Sequence, residues 1–308
     1  MTIGIATRGP RAGLAAWRAL LAAELLGRGE IGGFCVFTWR DASGVFRNAV
    51  TQAGGTAGLP DLPPGWQEAE LAAIISSGPD RPEPLLQFLP TDPAHGLVTG
   101  HRLPTSRTAE GEALNLAALA LMRQGALTPE RLEALLAAPA MDAGLICLPV
   151  KGSVVIGNSP RVEGRDDHGR HLRERGASVA AVLHNSIHTA CLTGHALAEA
   201  LTGIAGETLG LGPARHGIAR LPDRLRVQPA QTEALHLDAE GCVIALHSAD
   251  PAYGGIRPGI TAVYSRMPVW QDGRHIGHAA SEVFARLDTR ELHARPGSIA
   301  RSFVFTRL

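Results

Sequence analysis

Apolar residues in the first 60 positions form some segments with the pattern of a strand and one with the pattern of a helix. An apolar run at 2–7 predicts a buried strand, and a turn rich in Gly and Arg leads from it into a helix at 14–27. The segments 33–40 and 45–52 flank a turn that contains Gly and predict a hairpin. The chain therefore opens with a strand, a helix and a pair of strands.

The middle of the chain alternates loop, strand and helix signals. A proline-rich stretch at 59–93 is typical of a surface loop, and it holds one apolar piece at 71–77. Thr128 followed by Pro129 is a typical helix start. The elements predicted here are a strand at 97–101, helices at 110–124 and 129–138, and strands at 143–148 and 153–157.

A charged segment at 161–171 interrupts the apolar pattern, and we place a domain boundary at residue 160. A strand at 178–184 and a helix at 188–203 follow it. The remaining predictions are strands at 234–238, 241–248, 260–270, 275–286 and 300–306. The sequence predicts an α+β protein, with a layered domain at 1–160 and a β-rich region at 161–308.

Composition narrows the classes of partner. The 308 residues suffice to bury a core without disulfides, and 29 Lys plus Arg balance 29 Asp plus Glu. Because no net field attracts phosphate backbones or anionic bilayers, we expect neither a nucleic acid nor a membrane partner. Lys151 is the only lysine.

The cysteines and the N-terminal residues predict a cellular location. The four cysteines are widely spaced, which favours a reducing compartment. The N-terminus lacks the long apolar region of an export signal, and Arg18 and Glu24 interrupt the longest apolar helical stretch. We therefore expect a cytoplasmic protein.

Four short segments carry a resemblance to a known family. They are Thr2-Ile-Gly-Ile-Ala, Val50-Thr-Gln-Ala-Gly-Gly55, Val98-Thr99-Gly100 and the strand pair from Ala143 to Asn158. They resemble the isoaspartyl peptidase and plant-type asparaginase group of N-terminal nucleophile (Ntn) hydrolases. The resemblance covers the first half of the chain and implies a layered αββα sandwich that hydrolyses an amide bond of a small molecule.

That resemblance implies a catalytic role for Thr2. Removal of Met1 would free a hydroxyl nucleophile and, on the same residue, an α-amine whose ordinary pKa of roughly 7.7 to 8.0 suits a general base. Thr99 and the Gly100 amide would stabilise the oxyanion. No cofactor is implied. The substrate-binding candidates are Thr51, Gly54, Gly55, His101, His184 and Asn185.

Cys35 is an alternative nucleophile. Counted backwards from Gly54-Gly55, the hairpin matches the family's opening hairpin, and Cys35 then takes the nucleophile position after an internal cleavage. Leu59-Pro-Asp61 stands where the family has an arginine that grips the substrate, so an α-carboxylate substrate is in question. A buried thiol is the ordinary interpretation of Cys35.

Two further interpretations remain open. In the first, Thr2 is an ordinary first residue of a buried strand. The protein would then have the same fold but be a non-catalytic ligand-binding or regulatory protein. The second interpretation assumes a helix that begins near Ser186. One face of that helix would then carry His188, Cys191 and His195 beside His184, and this set of ligands would suit Zn²⁺ in a metal-dependent enzyme. Ordinary hydrogen-bonded histidines would explain the same cluster. We expect a small-molecule substrate and a possible homodimer.

Overall fold

A computed structural model describes residues 1–29, 31–297 and 299–308. The chain forms two compact units, Met1–Pro213 and Ala214–Leu308. Within the described residues, no helix is both long and apolar enough to cross a membrane.

The first unit contains both strands and helices. In chain order they are β1 Thr2–Arg8, α1 Ala12–Leu26, β2 Gly27–Arg28, β3 Cys35–Arg40, β4 Phe46–Thr51, α2 Gly55–Gly58, β5 Leu71–Ser77, β6 Thr91–Asp92, β7 Gly96–His101, α3 Leu114–Arg123, α4 Pro129–Leu136, β8 Gly144–Pro149, β9 Val155–Asn158, α5 Pro160–Glu163, β10 His168–Arg175, β11 Ser178–Asn185, β12 His188–Thr189 and α6 Gly194–Thr208.

Strand β1 lies inside a six-stranded sheet with the order β10-β11-β1-β5-β3-β4. All its neighbouring strands run antiparallel, and Thr2 is paired with Asn185 on one side and with Ser77 on the other. Strands β10 and β11 thus belong to the sheet of β1. This explains why the first unit extends to Pro213 and does not end at residue 160, where the sequence predicted a boundary.

The first unit is layered. Helices α1 and α6 pack on one face of the six-stranded sheet, and the four-stranded sheet β6-β7-β8-β9 packs on the other. Helices α3 and α4 pack against the strands of that second sheet. The predicted α+β class is confirmed, with a layer order of helices, sheet, sheet and helices.

The core between the two sheets is apolar. Alternate residues of each strand point into it, because side chains of a strand alternate between its faces. Strand β5 is buried along its whole length, which explains its continuous apolar sequence. Typical fully buried members of this core are Ala6, Val98, Leu145 and Leu183.

The second unit is almost entirely β-structure. Its ten strands form one curled sheet around a separate apolar core. They are β13 His216–Arg220, β14 Arg224–Pro229, β15 Ala234–Leu237, β16 Val243–Ser248, β17 Ile256–Val263, β18 Pro268–Gln271, β19 Arg274–Ala279, β20 Val283–Asp288, β21 Glu291–Ala294 and β22 Ser302–Arg307.

Three predicted elements were wrong in their bounds. The helix expected at 188–203 begins only at Gly194, after the short strand His188–Thr189. The strands expected at 260–270 and at 275–286 are each two strands separated by a short break. The first difference lies where strands of distant sequence pair, which local periodicity does not register.

Candidate functional site

A cleft of about 290 Å³ opens at the end of the six-stranded sheet where β1 begins. One part of its lining is apolar and is formed by Phe34, Ile75, Phe88 and Leu103. The polar part is formed by Thr2, Ser77, Arg81, Arg102, Asn185 and Ser186. An apolar pocket with a few converging polar groups is the usual form of a small-molecule site.

Three side chains are linked beside the N-terminus. The Ser77 hydroxyl donates to the Met1 carbonyl oxygen at 2.5 Å and accepts a hydrogen bond of 2.7 Å from an Arg81 nitrogen. The Thr2 hydroxyl lies 3.2 Å from the same Ser77 oxygen. Because Ser77 has one proton and donates it to Met1, Thr2 is the donor in this pair.

The charged groups around the cleft act on the terminal amine. Burial lowers the pKa of the Met1 α-ammonium below its ordinary value, and the positive charges of Arg102 and Arg81 lower it further. Asp167 opposes them with a negative charge. The net effect favours a neutral amine at this end of β1.

Two residues on the cleft wall have left-handed backbone conformations. Arg102 has φ 61° and follows β7, and Ser186 has φ 55° and follows β11. Such conformations are costly for residues other than glycine and tend to occur at functional sites. The two strand ends therefore turn sharply beside the cleft.

An ion-pair network supports these two turns. Arg165 makes a two-pronged contact with Asp167 at 2.8 Å for each hydrogen bond, and it donates to Asp142 at 3.1 Å. Ser186 donates to Asp167 at 2.8 Å, and Arg102 lies 3.2 Å from Asp142. Arg165 thus links the positions of Arg102 and Ser186.

A buried histidine links the two sheets next to the cleft. Asn185 donates to His101 Nδ1 at 3.2 Å, and His101 Nε2 lies 3.1 Å from Asn158 Oδ1. Burial lowers the pKa of His101 to about 3, so the ring is neutral with its proton on Nε2. The Asn185 side chain is fixed by this arrangement.

A comparison with protein families matches most of this chain. The model described as "Domain of unknown function (DUF6963)" matches residues 2–217. This protein belongs to the DUF6963 family. A second model, described as "Domain of unknown function (DUF7259)", matches residues 224–298. No curated protein and no solved structure matches the chain.

All cleft residues except Met1 lie in the DUF6963 segment, but the predicted oxyanion residues lie outside the cleft lining. Thr99 is fully buried, and its hydroxyl donates to the Ile74 carbonyl oxygen at 2.8 Å. Gly100 packs against Gly4. The structure therefore does not bring the Thr99 hydroxyl to the Thr2 hydroxyl.

In this DUF6963 chain, the predicted alternative nucleophile Cys35 lies on the other face of the six-stranded sheet. Cys35 is fully buried, and burial together with the Glu24 carboxylate raises the pKa of its thiol. Glu24 accepts hydrogen bonds from the backbone and the hydroxyl of Thr56. Cys35 is a buried thiol in this arrangement, with no position on the cleft.

Five of the six predicted substrate-binding residues lie outside the cleft lining. A Cβ on Gly55 would meet Glu24 Oε1 at 2.1 Å, so Gly55 packs closely against α1, and a Cβ on Gly54 would meet Gly58 at 3.0 Å. The Thr51 hydroxyl donates to the Ala53 carbonyl oxygen at 2.6 Å. Of the predicted substrate-binding residues, Asn185 alone lines the cleft.

The proposed metal cluster does not assemble. Helix α6 begins at Gly194, so His188 and Cys191 precede it and are exposed instead of sharing a helix face with His195. His184 is buried and its Nε2 lies 3.1 Å from the Gly194 carbonyl oxygen. Among the described residues, no group of three or more His, Cys, Asp or Glu is arranged to hold a metal ion.

Sequence reasoning missed the residues that give the cleft its charge. Ser77, Arg81 and Arg102 are not in any motif that the sequence singled out. A signal for the first two was present, since a Ser pair ends a buried strand and Arg81 follows the turn signal Gly78-Pro79-Asp80.

Proposed function

We propose that this protein is an amidohydrolase of the N-terminal nucleophile type, with Thr2 as its nucleophile. One observation carries the proposal: the Thr2 hydroxyl is half-buried on the wall of the cleft and donates to Ser77. That hydrogen bond orients the Thr2 oxygen. The layer order of helices, sheet, sheet and helices also supports it, since the resemblance implied an αββα sandwich.

The reaction requires that Met1 be removed. The Thr2 oxygen then adds to the carbonyl carbon of the amide while its proton passes to the Thr2 amine, and the amine delivers this proton to the leaving nitrogen. Water hydrolyses the resulting ester and restores the hydroxyl. The burial and the two guanidinium groups that lower the pKa of the Met1 amine also lie beside the position of a Thr2 amine, where they would favour the neutral base.

The cleft favours an anionic substrate with an apolar portion. Arg81 and Arg102 line it together, and within the described part of the chain Arg81 forms no ion pair with a carboxylate. Guanidinium groups suit carboxylate or phosphate groups because they donate two parallel hydrogen bonds. Phe34, Ile75 and Phe88 offer apolar surface to the rest of the substrate.

All four cysteines are free, which fits the reducing cytoplasmic setting that we propose.

A non-catalytic binding protein is the second candidate, and the environment of Met1 favours it. The Met1 carbonyl oxygen accepts a hydrogen bond from Ser77, and a Cβ on Gly29 would lie 2.8 Å from the Met1 methyl carbon. A retained Met1 would leave Thr2 with a peptide nitrogen in place of the base. The cleft could then bind an anion but not cleave an amide.

Intact mass and turnover separate the two candidates. We would compare the native chain with a chain that carries a Gly-Ser extension ahead of Thr2, using aspartyl, glutamyl and alanyl p-nitroanilides. We expect the native chain to lose Met1 and to hydrolyse the acidic anilides, and the extended chain to be inactive. Retention of Met1 without turnover would contradict the amidohydrolase and leave the binding protein. Equal turnover by both chains would contradict Thr2 as the nucleophile, because the extended chain has no free Thr2 amine.

A further inference from the structure

A second cavity, of about 920 Å³, lies at the opposite end of strand β1 from the cleft. Strand β1 starts at Thr2 on the cleft and ends at Arg8 on this cavity. Six steps of about 3.3 Å separate those residues by roughly 20 Å. The cavity is therefore a separate site within the first unit.

The cavity is basic although the chain as a whole has no net charge. Four cationic side chains line it, whereas Glu70 and Glu174 are the acidic ones among its lining residues, which leaves an excess of two positive charges. One of the cations is Lys151, the only lysine of the chain. The four are Arg8, Arg40, Lys151 and Arg175.

The guanidinium groups are held by neutral partners. Arg8 donates from Nε to the Ala177 carbonyl oxygen at 3.1 Å and from Nη1 to the Pro149 carbonyl oxygen at 3.0 Å. Arg40 donates to the Gly44 carbonyl oxygen at 3.1 Å, and Arg175 donates to that of Gly210. These bonds position the groups without neutralising them, and in the described residues none of the four cations lies within 4.0 Å of a carboxylate oxygen.

The environment of Arg8 favours the binding of a counter-ion. Arg8 is half-buried, and burial lowers the pKa of its guanidinium while the charge of Glu174 opposes this. A partly desolvated cation without a direct ion pair gains more from a bound anion than an exposed one does. Its hydrogen bonds to Ala177 and Pro149 use Nε and Nη1, which leaves Nη2 for a ligand.

We propose that this basic cavity binds a small polyanion that carries at least two phosphate or carboxylate groups. Its volume falls within the roughly 300–1,000 Å³ range of small-molecule sites. Three arginines and one lysine suit several anionic groups on one ligand, because each guanidinium recognises a planar or tetrahedral oxyanion directly. A concave site on a chain of zero net charge favours a small ligand over a nucleic acid or a bilayer.

Calorimetric titration with tripolyphosphate and with citrate tests the proposal and distinguishes the two anion chemistries. Lys151 and Arg175 are exposed, so the double variant K151Q/R175Q removes charge without disturbing the core. We expect it to weaken binding of the preferred anion by about tenfold or more. The matched control R131Q/R161Q removes two exposed cations outside the cavity and should retain the wild-type affinity.

The single lysine provides a second measurement. Reductive methylation modifies Lys151 and the terminal amine, and mass spectrometry of the Lys151 peptide follows the first of these alone. We expect saturating polyanion to slow the modification of Lys151 several-fold, in wild type and in R131Q/R161Q alike.

Three outcomes would overturn the proposal. They are the absence of saturable binding by either anion, equal weakening in both double variants, and duplex DNA or anionic vesicles competing for the same residues while small anions do not. None of these outcomes depends on whether Thr2 is catalytic, since the cleft lies at the other end of β1.

Discussion

Gly4 of β1 lies directly against Gly100 of β7. A Cβ on Gly4 would be 2.6 Å from the Gly100 nitrogen and 2.7 Å from its Cα, which is closer than real Cβ atoms approach. The two sheets thus meet at this point through their backbones, without side chains between them. Thr2 is two residues before Gly4, so its side chain lies on the same face of the strand as this close contact.

We predict that G4A will destabilise the first unit by about 1–3 kcal/mol, because the added methyl group must push two backbones apart. Urea unfolding measures this directly. G164A is a matched control, since a Cβ there would have its nearest neighbour at 3.6 Å, an ordinary contact distance. Equal stability of G4A and G164A would mean that the sheets separate freely.

Thr2 substitutions test the proposed nucleophile. If Met1 is removed, T2A should lower kcat/KM for an acidic anilide by about a thousandfold or more, because the attacking oxygen is gone. T2S retains the hydroxyl and the amine and should keep part of the activity. C35A should match the wild-type rate, since Cys35 is fully buried beside Glu24 and away from the cleft. Activity that survives T2A but not C35A would reverse the assignment.

Arg81 should decide the charge preference of the substrate. R81Q removes a cation that lines the cleft and bonds to Ser77, so we expect KM for an acidic anilide to rise by about tenfold or more. R102Q should have a smaller effect, because Arg102 is exposed and already lies 3.2 Å from Asp142. Steady-state kinetics with acidic and alanyl anilides measures both, and an equal change for both substrates would refute the charge preference.

His101 makes the fold sensitive to acid. The unfolded chain protonates this residue near its ordinary pKa of 6.5, whereas burial lowers the folded pKa to about 3. Stability should therefore fall as the pH drops below 6.5, by roughly 3 kcal/mol at pH 4.5. Urea unfolding at pH 7, 5.5 and 4.5 should give a flatter profile for H101Q than for wild type, and parallel profiles would contradict the buried neutral ring.

Glu24 acts in the opposite direction. Burial raises the folded pKa of Glu24 to about 7 from an ordinary 4.5, although the hydrogen bonds from Thr56 oppose this shift. The folded protein therefore retains a proton that the unfolded chain releases, and stability should fall by roughly 3 kcal/mol as the pH rises from 4.5 through 7 to 8. E24Q should remove that loss in urea unfolding, and E133Q, an exposed control, should leave it unchanged.

Local signals predicted much of the first unit. Thr128 caps α4 by accepting a hydrogen bond from the Arg131 backbone, as the Thr-Pro pair indicated. The hairpin of β3 and β4 pairs Cys35 with Thr51, close to the predicted ends. These elements depend on neighbouring residues, so their pattern is visible in the sequence.

Long-range pairing explains what the sequence did not predict. The charged segment at 161–171 runs from α5 through a turn into the start of β10, which lies at the edge of the six-stranded sheet and pairs with β11. His188–Thr189 pairs with Gly27–Arg28, a partner about 160 residues away, which delays the start of α6. The cleft has the same origin, since Ser77 and Asn185 reach Thr2 only through pairing in the sheet.

The left-handed backbones of Arg102 and Ser186 bear on any redesign of this chain. Glycine adopts such a conformation at little cost, so a procedure that optimised folding alone would select glycine at both positions. Those substitutions would remove a cation and a hydroxyl from the cleft wall while raising the stability of the fold. A stabilised variant of this protein should accordingly keep both side chains and the energetic cost of their left-handed backbones.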